Sequence, residues 1–167
     1  MPVTLRPMDL EDAQGVGMMH HQAWVDSYGS ILPHGYFTTW TVDDAAQRWE
    51  NVLAAPAPHG LTRIVADDDG EICGFVAVGP SRALAERPQP VRQTEVWGLY
   101  VTAARVGTGL GQQLLDAVLA REEPAELWVF RDNPRARAFY QRNGFVPDGA
   151  TCTEARFPDL LEIRMFR

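Results

Sequence analysis

The sequence predicts an α/β fold with a mixed sheet of the α+β type. About seven strands are expected to form this one sheet, accompanied by four helices. Strand-like and helix-like hydrophobic patterns follow one another in the order β, αα, βββ, α, β, α, ββ, which is typical of such a sheet. The chain has 167 residues and is 46% hydrophobic, enough to bury one core. Because no repeat or linker interrupts the pattern, we expect one domain over residues 1–167.

Charge and composition narrow the class of partner. The formal net charge is −7, whereas a general nucleic-acid binder carries excess positive charge. Residues 1–12 lack the apolar centre of a signal peptide, and no apolar stretch approaches the length of a membrane span. We therefore expect a cytoplasmic protein with no nucleic-acid or membrane partner. Cys73 and Cys152 form no C-x-x-C pair, and no metal is expected.

The first third of the chain predicts one strand and two helices. Residues 3–6 have strand character, Pro7 ends them, and Asp9 is a suitable helix N-cap. A helical face follows, made of Val16, Met19, His20, Ala23 and Trp24. Residues 26–33 are rich in Tyr, Ser and Gly and predict a loop, and a second helix is expected at about residues 42–53.

The middle of the chain predicts three strands. Residues 61–66 and 72–78 form a hairpin around an Asp- and Gly-rich turn. Residues 79–92 contain three prolines and predict a loop. A further strand spans residues 94–101, and Gly98 in its centre indicates a bulge or a close backbone approach.

The last third predicts two helices and three strands. One helix starts near Thr108, and a wholly apolar strand follows at residues 127–130. The Asn133-Pro134 pair predicts a second helix start, which continues to a C-cap at Gly144. The final strands are expected at residues 145–146 and 161–166.

A glycine-rich turn precedes the helix near Thr108, where the chain reads Gly107-Thr108-Gly109-Leu110-Gly111. Glycines allow close backbone approach, and a helix N-terminus offers unpaired amides, so the turn suits a phosphate or pyrophosphate. A Walker loop is excluded because the chain has no Gly-Lys pair, and a dinucleotide fingerprint would need glycine at Gln112. A purely structural turn is the other interpretation.

The helix after Asn133 carries a second group of candidate residues. Phe139 is interpreted as a core residue, whereas Tyr140 is either a packing residue or a functional phenol, because a buried phenol needs a hydrogen-bond partner. Four arginines close in sequence could pair with a ligand phosphate or simply form a solvated face: Arg131, Arg135, Arg137 and Arg142.

These motifs, in this order, resemble the GNAT superfamily of N-acetyltransferases over nearly the whole chain. Residues 95–101 resemble its bulged fourth strand, residues 106–111 its pyrophosphate loop, and residues 133–145 its coenzyme-A helix. The family loop usually has Gln or Arg where this chain has Val106, which puts one side-chain contact in doubt; Arg105, one residue earlier, could substitute.

The resemblance implies a GNAT-like fold, acetyl-coenzyme A as co-substrate, and direct transfer to a primary amine through a tetrahedral intermediate. The amine would belong to a small molecule or to a peptide or protein N-terminus. Glu95 resembles the family's base, a strand amide near Val101 its oxyanion donor, and Tyr140 the acid that protonates the leaving thiolate. The implied coenzyme contacts are Leu99, Tyr100, Val101, Val106, Gly107, Thr108, Gly109, Leu110, Gly111, Asn133, Arg137 and Tyr140.

The acceptor site is expected to be built by the N-terminal helices and the loop between them, with an aromatic wall that suits an apolar or cationic amine. Its candidate residues are Trp24, Tyr28, Phe37 and Trp97, each of which could instead be plain core. Two other classes stay open: an acyl-coenzyme A sensing module without turnover, and an acetyltransferase-like unit that serves in a homodimer.

Overall fold

The computed structural model describes residues 3–154 and 157–167, with the side chains of all of these except Glu154 and Pro158. Its seven strands form one sheet in the order β1-β2-β3-β4-β5-β7-β6. Their bounds are β1 Thr4–Pro7, β2 Thr62–Asp68, β3 Glu71–Pro80, β4 Thr94–Val101, β5 Glu126–Phe130, β6 Val146–Glu154 and β7 Phe157–Phe166. The predicted mixed α/β sheet of seven strands is confirmed.

Four long helices accompany the sheet, as predicted, together with one short helix that was not predicted. They are α1 Ala13–Tyr28, α2 Tyr36–Thr39, α3 Val42–Ala54, α4 Leu110–Val118 and α5 Pro134–Arg142. Short 3₁₀ turns precede α1 and the glycine turn. None of the described helices is long and apolar enough to cross a membrane.

Strand pairing is both parallel and antiparallel. β1 pairs antiparallel with β2, and β7 pairs antiparallel with both β5 and β6. β4 pairs in parallel with β5, where Glu95 lies opposite Glu126 and Val96 opposite Leu127. This pairing ends two residues before Gly98; the bulge at Gly98 itself stays a prediction.

The chain divides into two compact units, each of which is described separately. We call residues 3–77 with 98–118 unit 1, and residues 78–97 with 119–167 unit 2. The expectation that residues 1–167 form one domain concerns folding and stays a prediction.

Unit 1 has a core between α1 and strands β2 and β3. Its buried residues include Val16, Met19, Ala23, Val65, Ile72 and Phe75. α1 crosses α3 closely at Gly17, where a Cβ atom would lie 2.5 Å from the backbone of Ala46, so only glycine fits. Arg6 ties the start of the chain to Asp12 and Asp67, and its hydrogen bond holds the pKa of Asp12 below the usual range.

Unit 2 is built on strands β5, β6 and β7, with apolar residues such as Leu127, Phe145 and Met165 fully buried. One buried arginine links β7 to β6 and to the loop before β4. Arg164 is buried, donating to Asp148 at 2.7 Å and to the Gln89 carbonyl at 2.7 Å. These bonds satisfy a guanidinium that would be costly to bury alone.

Four local predictions differ from the structure by more than two residues. The last strand, expected at residues 161–166, begins at residue 157. The loop expected at residues 26–33 begins later, because α1 continues to Tyr28 and ends at Gly29. Residues 36–39 form the additional helix α2. The strand expected at residues 145–146 continues to residue 154, although it contains Pro147, Asp148 and Gly149.

Candidate active site and coenzyme-binding elements

The glycine turn of unit 1 has the backbone that its sequence predicts. Gly107 and Gly109 have φ angles of +78° and +91°, in the left-handed region that favours glycine. Thr108 closes the turn by donating its hydroxyl to the Arg105 carbonyl at 2.8 Å. α4 begins at Leu110, so the turn delivers the chain directly into the unpaired amides of a helix N-terminus.

The glycine turn has space beside its backbone for a pyrophosphate. A Cβ atom placed at Gly107 or Gly109 would meet no other atom within 4 Å, so both backbones border open space. Anions are stabilised at such a helix end by the amides and by the helix dipole. Val106 is 38% exposed beside the turn and offers no polar group.

Arg105, which could replace the missing side-chain contact at Val106, is engaged elsewhere. Its guanidinium forms an ion pair with Asp68 at the end of β2. The residue therefore anchors the glycine turn to the neighbouring strand, and the backbone amides remain the turn's own means of holding an anion.

The second half of β4 also lies in unit 1, and Leu99, Tyr100 and Val101 are half-buried there. The Tyr100 ring packs against Phe75 at a centroid distance of 5.4 Å. A Cβ atom at Gly74 would lie 3.0 Å from the Tyr100 carbonyl, so the strands approach closely at this point.

In unit 2, α5 begins as predicted. The Asn133 side chain accepts from the Ala136 amide at 3.1 Å, and Pro134 occupies the first turn. Arg137 donates to the Arg131 carbonyl at 3.0 Å, but its Nε atom is buried without a hydrogen-bond partner among the described residues. A buried unpaired donor is costly, so Arg137 fits a role in holding an anionic group.

Tyr140 lies one turn further along α5 and is 7% exposed. Its ring packs against Phe139 and Phe145 at centroid distances of 5.2 and 5.7 Å. The ring is therefore fixed by packing, which is a requirement for any group that has to deliver a proton from a defined position.

Glu95 on β4 is buried in unit 2 and is 1% exposed. Its Oε2 accepts from the Arg82 amide at 2.9 Å and from Arg82 Nε at 3.2 Å, while Oε1 faces Arg87 at 3.5 Å. Arg87 continues the chain of charges to Glu162 at 3.0 Å. Sequence reasoning missed Arg82 and Arg87 as partners of Glu95; both lie in the proline-containing loop before β4.

Trp97, two residues along β4, lies against the same loop. Its Nε1 donates to the Pro80 carbonyl at 3.0 Å, and the Arg82 guanidinium stacks 4.6 Å from the ring centroid. This stacking adds a cation–π contact to the ion pair between Arg82 and Glu95.

The other three predicted acceptor residues belong to one group of rings in unit 1. Trp24 packs against Tyr28 at 5.0 Å, and both Trp24 and Phe37 pack against Trp40, at 5.6 and 6.1 Å. Sequence reasoning missed Trp40, although its type and its place just before the N-cap of α3 were visible signals.

Both cysteines are buried and free. Burial raises the pKa of the Cys73 thiol, and burial together with the Glu162 carboxylate raises the pKa of Cys152 to about 11. Because the thiolate is the reactive form, both residues are poorly suited to act as nucleophiles near neutral pH. Among the described residues, no cluster of three or more His, Cys, Asp or Glu side chains could hold a metal ion.

Comparison with known proteins agrees with this arrangement. Residues 21–145 match the acetyltransferase (GNAT) family, and the chain belongs to that family. An N-acetyltransferase of Archaeoglobus fulgidus is 37% identical over 125 residues, covering 71% of this chain and 79% of the relative. The N-acetyltransferase YuaI of Bacillus subtilis is 26% identical over 144 residues, covering 83% and 78%.

Solved structures share the fold. The PaiA N-acetyltransferase of Thermoplasma acidophilum, solved in complex with coenzyme A, superposes with a TM-score of 0.65 and is 18% identical, covering 100% of this chain and 99% of its own. The protein is an acyl-coenzyme A-dependent acetyltransferase, with acetyl-coenzyme A as its co-substrate.

Proposed function

We propose that this acetyltransferase transfers its acetyl group to a primary amine by direct attack on the thioester. A bond forms between the amine nitrogen and the acetyl carbon, the carbon–sulfur bond breaks, and the amine loses one proton while the thiolate gains one. Acetyl-coenzyme A supplies the activated acetyl group. The burial and raised pKa values of Cys73 and Cys152 support direct attack, because they disfavour the thiolate that an acyl-enzyme would need.

The observation that carries the proposal is the glycine turn at the start of α4. Left-handed backbone at Gly107 and Gly109, open space beside both, and the helix N-terminus at Leu110 together suit the pyrophosphate. In unit 2, Asn133 orders the start of α5, and the buried Nε of Arg137 is a donor for a further anionic group.

Tyr140 is proposed as the acid that protonates the leaving thiolate. A thiolate at neutral pH leaves more readily when a fixed donor supplies a proton, and such a donor contributes about 10²-fold or more. Phe139 and Phe145 hold the Tyr140 ring in place. The amide at Val101 is proposed as the oxyanion donor, a role worth about 3 kcal/mol.

Glu95 is proposed as the base that takes the amine proton through a water. An alkyl ammonium has a pKa of about 10, so it needs a base near neutral pH. Because both Glu95 oxygens face arginine donors, the role requires a water to replace one of these donors when the amine binds.

The function is tested by the release of coenzyme A thiol with a panel of amines and by the mass of each acetylated product. The panel contains arylalkyl amines, diamines, and peptides with a free N-terminus or a lysine. All fifteen basic residues of the chain are arginines, so acetyl-lysine in the assay cannot come from the enzyme's own side chains. Binding of coenzyme A without any acetylated amine would overturn the proposal and identify a sensing module.

A further inference from the structure

Seven rings between residues 20 and 40 of unit 1 pack together, and we call them the aromatic cluster: His20, His21, Trp24, Tyr28, Tyr36, Phe37 and Trp40. Through His20 the cluster continues into the core rings Trp49, Phe75 and Tyr100. Trp40 is its centre. Its ring centroid lies 5.0 Å from that of His21, 5.6 Å from Trp24, 5.9 Å from Tyr36 and 6.1 Å from Phe37.

The aromatic cluster reaches the protein surface. Trp24, Tyr36, Phe37 and Trp40 are each half-buried, whereas the apolar core of unit 1 is buried throughout. Large apolar side chains that share one partly exposed surface are characteristic of binding sites. Rings offer rigid contact area at little cost in conformational entropy, which suits a ligand-binding surface.

Hydrogen bonds fix this surface in advance. His21 Nε2 donates to the Trp40 carbonyl at 2.9 Å, which ties the residue after α2 to α1. Trp49 Nε1 donates to His20 Nδ1 at 3.1 Å, and since an indole only donates, the His20 proton lies on Nε2. Burial lowers the pKa of His20 to about 3, so the ring carries no positive charge at neutral pH.

The net charge of unit 1 favours a cation over an anion. Unit 1 has twelve acidic side chains and four arginines, a formal charge of −8. Arg6 and Arg105 are already paired with carboxylates. Residues 13–54, which carry the cluster, contain Asp26, Asp43, Asp44 and Glu50 against Arg48 alone.

We propose that the aromatic cluster is the acceptor-recognition surface and that it takes an arylalkyl ammonium, with Trp40 as the specificity-determining residue. The electron-rich faces of the rings attract the ammonium group, and their edges and faces accommodate a further ring. An anionic acceptor is disfavoured by the net negative charge of unit 1. This inference rests on the proposed transfer to an amine and names its substrate class.

The inference is tested by binding, with coenzyme A present so that no turnover occurs. The full-length chain is titrated with 2-phenylethylamine, with 3-phenylpropionate, which has the same ring and the opposite charge, and with hexylamine, which lacks the ring. Calorimetry should show 2-phenylethylamine binding about tenfold more tightly than either matched probe.

Trp40→Leu should weaken 2-phenylethylamine binding at least about fivefold and leave coenzyme A affinity within about twofold, while Trp40→Phe restores most of the loss. Trp128→Phe, which removes an indole from β5 in unit 2, is the matched control and should change neither affinity. If Trp40→Leu does not fold, Phe37→Leu provides the same comparison.

Equal binding of all three probes, no binding of 2-phenylethylamine at millimolar concentration, or unchanged binding in Trp40→Leu would overturn the inference. Binding as expected without acetyl transfer would contradict the proposed function and leave the recognition surface intact. Acetylation of amines at rates independent of a ring and of Trp40 would contradict the recognition surface and leave the function intact.

Discussion

Arg82 holds Glu95 through both its backbone and its side chain. The Arg82 amide donates to Glu95 Oε2 at 2.9 Å, and Arg82 Nε donates to the same oxygen at 3.2 Å. The loop before β4 is thus fastened to the strand by the residue proposed as the catalytic base. Removing one partner of a buried ion pair destabilises the fold. The loss of rate in a Glu95 variant therefore has to be distinguished from its loss of stability.

Glu95→Gln tests the base. The amide preserves the shape and removes the proton-accepting carboxylate, so the rate should fall most at low pH, where few amines are free, and partly recover as pH rises. The rate is measured from about pH 6 to 10 for both forms. Parallel pH profiles would remove Glu95 from proton transfer and leave it as an anchor of the loop.

Glu126→Gln is the matched control for this experiment. Glu126 lies opposite Glu95 in the sheet, is also 1% exposed, and likewise accepts from loop amides, those of Val91 and Arg92 at 2.6 and 2.8 Å. Its substitution should lower the unfolding stability as Glu95→Gln does, but any loss of rate should be independent of pH. A pH-dependent loss of rate in both variants would mean that it comes from disturbance of the loop and not from loss of the base.

Gly109→Val tests the glycine turn. A β-branched residue is strained at φ +91°, and its side chain would occupy the open space proposed for the pyrophosphate. Acetyl-coenzyme A affinity should fall at least about tenfold, or about 1.4 kcal/mol, by calorimetry. Gly149→Val, at φ +89° and also beside open space in β6, should impose similar strain and leave the affinity unchanged. Equal affinity losses in the two variants would point to general destabilisation.

Tyr140→Phe tests the proposed acid. Phenylalanine retains the ring packing against Phe139 and Phe145, so the position of the ring should be kept. Turnover should fall by about 10² or more while coenzyme affinity stays within a few-fold, because only the proton is lost. Steady-state rates near those of the wild type would leave Tyr140 as a packing residue.

His20→Phe tests the electrostatics of the aromatic cluster through stability. Since burial lowers the pKa of His20 to about 3, below its unfolded value, the unfolded chain binds more protons between these values. The contribution of the neutral His20 ring to the free energy of unfolding is therefore fully present above about pH 6.5, and it is lost as the pH falls towards 3.

Relative to His20→Phe, the wild type should lose about 2–3 kcal/mol more unfolding free energy between pH 7.5 and 4.5, measured by denaturant titration. Replacing the exposed His59 by Gln should leave the wild-type dependence unchanged. Identical pH dependence in wild type and His20→Phe would show that the His20 ring is solvated.

Local patterns were sufficient where an element is determined by its own residues. β4 was predicted at residues 94–101 and is found at Thr94–Val101. The Asn133-Pro134 signal placed the start of α5, because an N-cap and a first-turn proline act within a few residues.

Prediction failed where tertiary contacts determine the structure. α2 has only four residues, too few to show a helical period, and the His21–Trp40 bond and ring packing hold it in place. In β6, Pro147 and Gly149 indicate a turn, but the pairing with β7 shifts register between Pro147 and Thr151 and accommodates them. The arginine partners of Glu95 come from a loop with no periodic pattern.

Direct acetyl transfer to an amine is tested by the mass balance within one reaction. With the best amine of the panel, mass spectrometry should find one acetylated amine for each coenzyme A thiol released. It should also find no acetyl group on the intact protein during the steady state. Thiol release without acetylated amine, or an acetylated protein that transfers its group in a second step, would contradict direct transfer.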